Sequence, residues 1–488
     1  MNVRLLAFSV LFVVLSLIAA SLSLLSEIRG TGTPLEAKSW RRLVLFLTIM
    51  SCILPMGLSP TYNGEEPEHR DQYERLADAL ISGSLELKYD LVDERIYAME
   101  NPYDAEERER LGIYYYWDHA YYDGHYYVYF GVVPALFLFV PYKLLTGTSL
   151  TTYHATEIFT ALHLLGLYLL FRVLSRKFLK QMSTGLFSLL FMAFSYMSCW
   201  YAIACPALYA TAITGALCFG SLSLWLFAHG ALEMKTGGRQ TACILLACLL
   251  GALEFGCRPP IGLSNLVALP LFFAYVGRGR GKVKRLLTAF PYLLVALCLM
   301  WYNYARFKNP FEFGQSYQLT ITDQSSYGNM LSRVNLSRIA HGFYYFLFNL
   351  STPAHIISIG QLIAYPILTV SYLFPLQKSV RTEIRKQGLT PLILFTVLAI
   401  CVIVLFEVLW APHPTPRYRM DMNWLMGILS FLLIGLFVNA QRDAAAARKA
   451  LCVLCMLAIG VSILFALYPD SGNFLDYYSG EIRTWLHV

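Results

Sequence analysis

Asp71 and Asp118 are carboxylates of this 488-residue chain of the kind that can take a proton from an attacking hydroxyl group or hold an acceptor. They belong to a stretch, 59–128, with 17 of the chain's 31 acids and only six Lys and Arg, a net charge of −11 within a chain of +7. Later polar stretches supply the opposite charge. Arg258, Arg306, Lys308, Arg417 and Arg419 are cations that can hold a phosphate oxygen, the arginines bidentately. Tyr122 and Tyr126 stand among many aromatics that suit either stacking on a sugar ring or anchoring at lipid headgroups. Each residue also has a plainer reading. Asp71 with Glu74 fits a helix cap, Asp118 a hydrogen bond within a hairpin, and the basic residues snorkelling to headgroups. Arg258 lies four residues after Glu254 and pairs with it if the helix continues. Asp104 and Asp123 read as turn residues, and Glu312 and Glu407 have no assigned partner.

The elements that must position these residues are membrane helices. The chain is 57% apolar and 14% charged, where about 25% charged is usual for soluble domains. Its apolar residues come in runs of about twenty, the length that crosses ~30 Å of hydrocarbon. Twelve segments qualify: 4–26, 43–59, 152–174, 183–200, 207–229, 240–256, 260–276, 286–303, 355–376, 390–410, 423–440 and 450–468. Alternate connections carry 22 of the 38 Lys and Arg, among them Arg172, Lys177, Lys235, Arg278, Arg381 and Arg448, and the positive-inside rule puts these in the cytoplasm. A cleaved signal peptide is the alternative for the first segment, but it would leave the basic 27–42 stretch outside, against its charge.

Parity then treats 130–147, with Pro134 and Pro141, as interfacial or re-entrant, since 152–174 already makes the one crossing available there. Gly342–Leu350 is interfacial by the same reasoning. The chain therefore reads as one integral-membrane domain, 1–488, with an external loop 59–128, a second external segment 303–350 and an external Arg-rich loop 411–422. Cys452 and Cys455 form a CxxC within a span and read as helix packing.

The first loop has legible structure. Tyr73, Leu76, Ala77, Leu80 and Ile81 share one helical face, with Glu74, Arg75 and Asp78 opposite and Gly83 as a stop, which predicts an amphipathic helix on the membrane surface. Asp123-Gly124 between two Tyr-rich runs predicts a type I′ hairpin.

Several of these blocks together resemble the bacterial membrane glycosyltransferases of the GT-C superfamily, most nearly the group labelled protein-mannosyltransferase-like (family 39). They are Asp71-Gln72-Tyr73 with Leu76-Ala77-Asp78-Ala79-Leu80, Asn101-Pro102-Tyr103-Asp104, Trp117-Asp118, Tyr122-Asp123-Gly124-His125-Tyr126-Tyr127-Val128-Tyr129-Phe130-Gly131, Arg306-Phe307 through Thr320, and Arg417-Tyr418 with Asp421. The resemblance implies an all-α polytopic bundle of about twelve transmembrane helices with a large first external loop carrying juxtamembrane amphipathic helices. It also implies transfer of a sugar from a polyprenyl-phosphate donor to a glycan, lipid or protein acceptor on the outer face of the plasma membrane. A first-loop carboxylate then acts as base, with Asp71 at the superfamily's position and Asp118 as an acceptor-binding or metal-supporting acid. Where many members have two adjacent acids, this chain has Asp71-Gln72, with Glu65, Glu66 and Glu68 just upstream.

No GxxxxGK[ST] and no GxGxxG after a strand is present, so a nucleotide-sugar donor is not expected, and no nucleic-acid partner is expected either. Cys and His spacings show no metal pattern, and a divalent metal ion as cofactor is left open. A polymerase or ligase using a lipid-diphosphate donor would more usually carry its large loop late in the chain. A glycolipid transporter would show inverted halves and ionisable groups near the midplane.

Overall fold

The computed structural model describes residues 3–29, 34–59, 70–278, 281–328, 330–350, 357–410, 415–441 and 445–467. Glu65, Glu66, Glu68 and the first four residues of the 411–422 loop lie outside the described residues. Eleven helical stretches among the described residues are long and apolar enough to cross a membrane. The first two are α1 (Val3–Arg29) and α2 (Pro34–Met56). At one end of the bundle follow α3 (Gln72–Ile81), α4 (Ala105–Arg110), the hairpin β1 (Ala120–Tyr122) and β2 (His125–Tyr127), and α5 (Val140–Thr146).

The central bundle is α6 (Thr152–Phe178), α7 (Thr184–Ala204), α8 (Leu208–Leu232) and α9 (Gly238–Phe255), with α10 (Pro259–Gly262) leading through a tighter turn into α11 (Leu269–Gly277). Next come α12 (Lys282–Leu286), α13 (Phe290–Phe307), α14 (Leu336–Phe348), α15 (Gln361–Ala364), α16 (Pro366–Leu373) and α17 (Lys378–Lys386). The last spans are α18 (Thr390–Trp410), α19 (Met420–Ala440) and α20 (Ala445–Leu467).

Burial sorts these helices. α7 and α19 are surrounded almost completely, with Phe171 and Phe431 stacked 3.9 Å apart between α6 and α19, whereas α13 turns Leu293, Leu294 and Leu297 outward. A helix apolar on every side and enclosed on every side is a bundle core; one apolar on every side with its leucines exposed faces lipid. α1 is packed into the bundle: the Phe12 ring lies 5.6 Å from that of Tyr196, and the Ser16 and Tyr196 hydroxyls are 2.8 Å apart. Cys452 and Cys455 are buried free thiols on α20.

The expected span 355–376 differs from the others. Its described part is broken at Tyr365, because Pro366 lacks an N–H and crowds the residue before it out of helical geometry. The apolar helix that follows, Pro366–Leu376, is about 16 Å long at ~1.5 Å per residue, short of a crossing by itself.

The outer elements follow the sequence pattern closely. α3 buries Tyr73, Leu76 and Ala77, and Gly83 ends it at φ +78. Its inner face lies on the apolar helix Ala135–Thr146, with the Tyr73 and Phe139 rings stacked at 5.4 Å and Lys143 paired with Asp78. That helix is itself too short to span. Asp123 and Gly124 both have positive φ, the signature of the type I′ turn that the twist of a hairpin requires.

Candidate active site

The site is built where the hairpin meets the loop after α13. Asp118 N–H donates to the Leu319 carbonyl and Leu319 N–H to the His119 carbonyl, both at 2.9 Å, so residues 318–319 run beside the hairpin as an extra edge. Arg108, fully buried, ties the same loop down by donating to the Thr320 carbonyl at 2.6 Å. Asp118 itself is left-handed, at φ +62, a conformation Asp tolerates better than most residues. Its carbonyl accepts from Gln72 Nε2 of α3 at 3.1 Å. Three segments far apart in sequence thus fix one carboxylate.

Asp118 is only 3% exposed, with Tyr209 donating to its Oδ2 and Gln318 Nε2 to its Oδ1. Burial pushes this carboxyl above the ordinary aspartate range, and the Tyr209 hydrogen bond, the Arg417 charge and the Gln318 hydrogen bond pull it part of the way back. The Arg417 guanidinium lies 4.1 Å from the Tyr209 ring centroid, and its Nε has no hydrogen-bond partner among the described residues. Tyr129 joins this cluster to a cavity: its phenol is pushed up by burial and by the Asp118 charge, and opposed by Arg258 and Arg417.

The cavity holds about 280 Å³ and is lined by Tyr129, Arg258, Tyr302, Asn303, Arg306 and Tyr418 among mostly apolar neighbours. Glycine makes its wall possible. A side chain on Gly131 would run into the carbonyls of Gly256 and Cys257, so only glycine lets the chain after Tyr129 dock against the end of α9, where Val133 N–H donates to the Gly256 carbonyl at 2.9 Å. Arg258, two residues on, is gripped by Asp421, with Nε 2.9 and 2.8 Å from the two carboxylate oxygens, and Glu407 stands 3.6 Å away. Arg306 donates to the Val128 carbonyl at 2.6 Å and to Asn303 Oδ1 at 2.9 Å, with its guanidinium 3.8 Å from the Tyr302 ring centroid. Its Nε is buried without a partner.

Asp118 and Arg417 therefore stand together beside Tyr129, and Arg258 and Arg306 line the cavity that Tyr129 also lines. The other sequence candidates lie elsewhere. Asp71 begins α3 but makes no side-chain cap; it takes Arg75 Nε at 2.6 Å instead. Lys308 is exposed and closes α13 at φ +56. Arg419, two residues from Arg417, is fully buried and donates to the carbonyls of Ile357 and Ser358. Tyr126 is core to the outer layer, 5.3 Å from the Tyr116 ring, whereas Tyr122 joins a half-buried group with Tyr317 at 4.6 Å. The expected Glu254–Arg258 side-chain pair does not form: α9 ends at Phe255, and Glu254 is held by Ser264 and Asn265. Asp104 caps α4, accepting from Glu106 and Glu107 N–H. Glu312 accepts from Gly314 N–H at 2.7 Å. Among the described residues no group of three His, Cys, Asp or Glu is arranged to hold a metal ion.

Tyr209, Gln318 and the role of Asp421 were not evident from the sequence. Tyr209 lies near the start of an apolar span, and Gln318 and Asp421 stand inside distinctive blocks that say nothing of their partners.

No family model matches the chain, and no curated protein does. Among solved structures it is similar to the Archaeoglobus fulgidus oligosaccharyltransferase in its apo form, with a TM-score of 0.52 at 13% identity over 91% of this chain and 58% of that one. It is likewise similar to the Archaeoglobus fulgidus oligosaccharyltransferase AglB in complex with an inhibitory peptide and a dolichol-phosphate, with a TM-score of 0.51 at 14% identity over 92% of this chain and 58% of that one. The chain is an all-α polytopic membrane protein whose fold resembles that of these solved structures. It spans less than two thirds of the length of those proteins, and at this identity the likeness concerns fold.

Proposed function

We propose that the chain is a membrane-embedded glycosyltransferase that moves a sugar from a polyprenyl-phosphate donor to a hydroxyl-bearing acceptor, with inversion, at the outer face of the plasma membrane. The observation that carries this reading is Tyr129, which has the buried carboxylate Asp118 and Arg417 beside it and lines a largely apolar cavity together with Arg258 and Arg306. The GT-C fold supports it.

In the proposed step the acceptor oxygen attacks the anomeric carbon as the bond from that carbon to the phosphate oxygen breaks. The phosphate leaves with the electron pair and with the lipid. Asp118 takes the acceptor's proton; a carboxyl raised by burial is matched better to that task than an ordinary one. Arg306 and Arg417, which have no carboxylate partner among the described residues, stabilise the charge gathering on the phosphate. Arg258 is neutralised by Asp421 and serves to shape the cavity wall. No step is routed through a metal ion. The hexose or pentose transferred, and a protein-mannosyltransferase-like acceptor range, belong to the same proposal.

One variation has specific support. Asp71 as base is favoured by its greater exposure, with 17% of its side chain accessible. The test is reconstitution of the purified chain with polyprenyl-phosphate and polyprenyl-diphosphate sugars in parallel, alongside mass spectrometry of surface glycans from cells lacking the gene. Turnover of the monophosphate donor alone supports the proposal; turnover of the diphosphate alone replaces the donor, and turnover of neither with unchanged glycans overturns it.

A further inference from the structure

The end of the bundle opposite the active site carries a cavity of about 570 Å³ between the ends of α6, α8 and α11 and the start of α18. Arg278 at this cavity is separated from Arg258 at the other by the stretch Pro259–Gly277, about 28 Å of helix at ~1.5 Å per residue. α18 spans the same gap, lining this cavity with Leu392 and Phe395 and the outer one with Phe406 and Trp410. The two cavities therefore face opposite leaflets.

This second cavity has cations at its mouth and an apolar floor. Lys177 and Arg278 line it with no carboxylate partner among the described residues. The acids near by are occupied: Glu233 takes Arg176 at 2.9 Å and His229 at 2.8 Å, and Glu383 takes Gln387 at 2.8 Å. Leu271 and Leu392 are buried in the floor, and Phe273 is exposed beside them. α17 fixes the depth. It buries Val380 and Ile384 and turns Lys378, Arg381, Arg385 and Lys386 outward, the pattern of a helix lying at headgroup level. It ends at Gly388, whose φ of +68 turns the chain into α18 at the cavity wall.

We propose that this cavity holds an anionic phospholipid of the basic-side leaflet, with its phosphate between Lys177 and Arg278 and an acyl chain over Phe273 and Phe395. A free anion would leave the apolar floor bare, and a zwitterionic lipid would bring a cation to two cations. The inference stands independently of the proposed reaction.

The test is native mass spectrometry of the full chain, delipidated and offered phosphatidylglycerol and phosphatidylcholine in equal amounts, with the melting temperature followed in the same detergent. Wild type should retain one phosphatidylglycerol with roughly tenfold preference and gain thermal stability from it. Lys177→Gln with Arg278→Gln should lose the preference, while Lys378→Gln with Arg381→Gln, outside the cavity, should keep it. Because Arg278 also donates to the Ala231 carbonyl, Lys177→Glu alone is the variant that leaves the fold untouched, and it should weaken the preference severalfold. Equal retention of the two lipids by wild type, an undiminished preference in Lys177→Glu, or displacement of phosphatidylglycerol by millimolar inorganic phosphate would each overturn the proposal.

Discussion

At the active-site end of the bundle, Arg258, Arg306 and Arg419 are withdrawn from solvent and each is aimed by named acceptors: a carboxylate, a backbone carbonyl with an amide, and two backbone carbonyls. At the opposite end Lys180, Lys235, Arg381 and Arg385 are exposed. A basic residue that serves only to keep a loop on one side of a membrane needs charge and nothing else, so solvation suffices. A buried guanidinium must have its donors met, so its direction is fixed by the fold. Arg285, buried and donating to the Tyr275 carbonyl, and Arg278, donating to the Ala231 carbonyl, are the basic end's exceptions; at the active-site end aimed guanidinium groups are the pattern.

The largest effect expected from breaking that geometry is at the carboxylate. Asp118→Asn should lower turnover by roughly 10²-fold or more at saturating donor, and Asp71→Asn by much less. If Asp71→Asn abolishes turnover and Asp118→Asn does not, the base belongs to α3. Next come the arginines. Arg306→Ala and Arg417→Ala should each weaken transfer by about 2–4 kcal/mol in kcat/KM. Arg419→Met should instead lower the melting temperature, since it strands the buried Ile357 carbonyl at about 1–3 kcal/mol and leaves the part-buried Ser358 carbonyl to water, with kcat little changed in the folded fraction.

The pH profile sharpens the same contrast. The active form of Asp118 is the ionised one and burial raises its pKa, so the rate should rise with pH through a midpoint above that of an ordinary aspartate. Tyr209→Phe removes a hydrogen bond to the charged form and should move that midpoint further up, by on the order of one unit. The smallest effect is at Lys308. It holds a left-handed helix end in solvent, so Lys308→Gly should leave kcat unchanged and raise stability by no more than about 1 kcal/mol, readable in thermal unfolding.

Local pattern made much of this legible in advance. The face of α3, its stop at Gly83 and the Asp123-Gly124 turn are settled by residues within a few positions of one another, and eleven of the twelve expected spans by length and composition alone. Pairings across the chain were not legible. Gln318 meets Asp118 from 200 residues away, and nothing near either says so. Arg417 and Arg419 look alike in sequence, yet one lies on the Tyr209 ring and the other binds the segment before α15. The Glu254–Arg258 spacing misled for a local reason: the backbone keeps its i, i+4 hydrogen bond at 2.9 Å, but Arg258 leaves the helix at φ −153 and turns to Asp421.

The left-handed backbone of Asp118 narrows which amino acids that position can carry. Glutamate would keep the negative charge but add a methylene to a side chain already met at both oxygens, and would sit in a conformation that costs most residues about 1–2 kcal/mol. Asparagine and glycine would keep the backbone and lose the proton acceptor. A saturation scan read by two assays, protein abundance and glycan product, should therefore divide at this codon: abundance tolerates Asp, Asn and Gly, while product tolerates Asp alone.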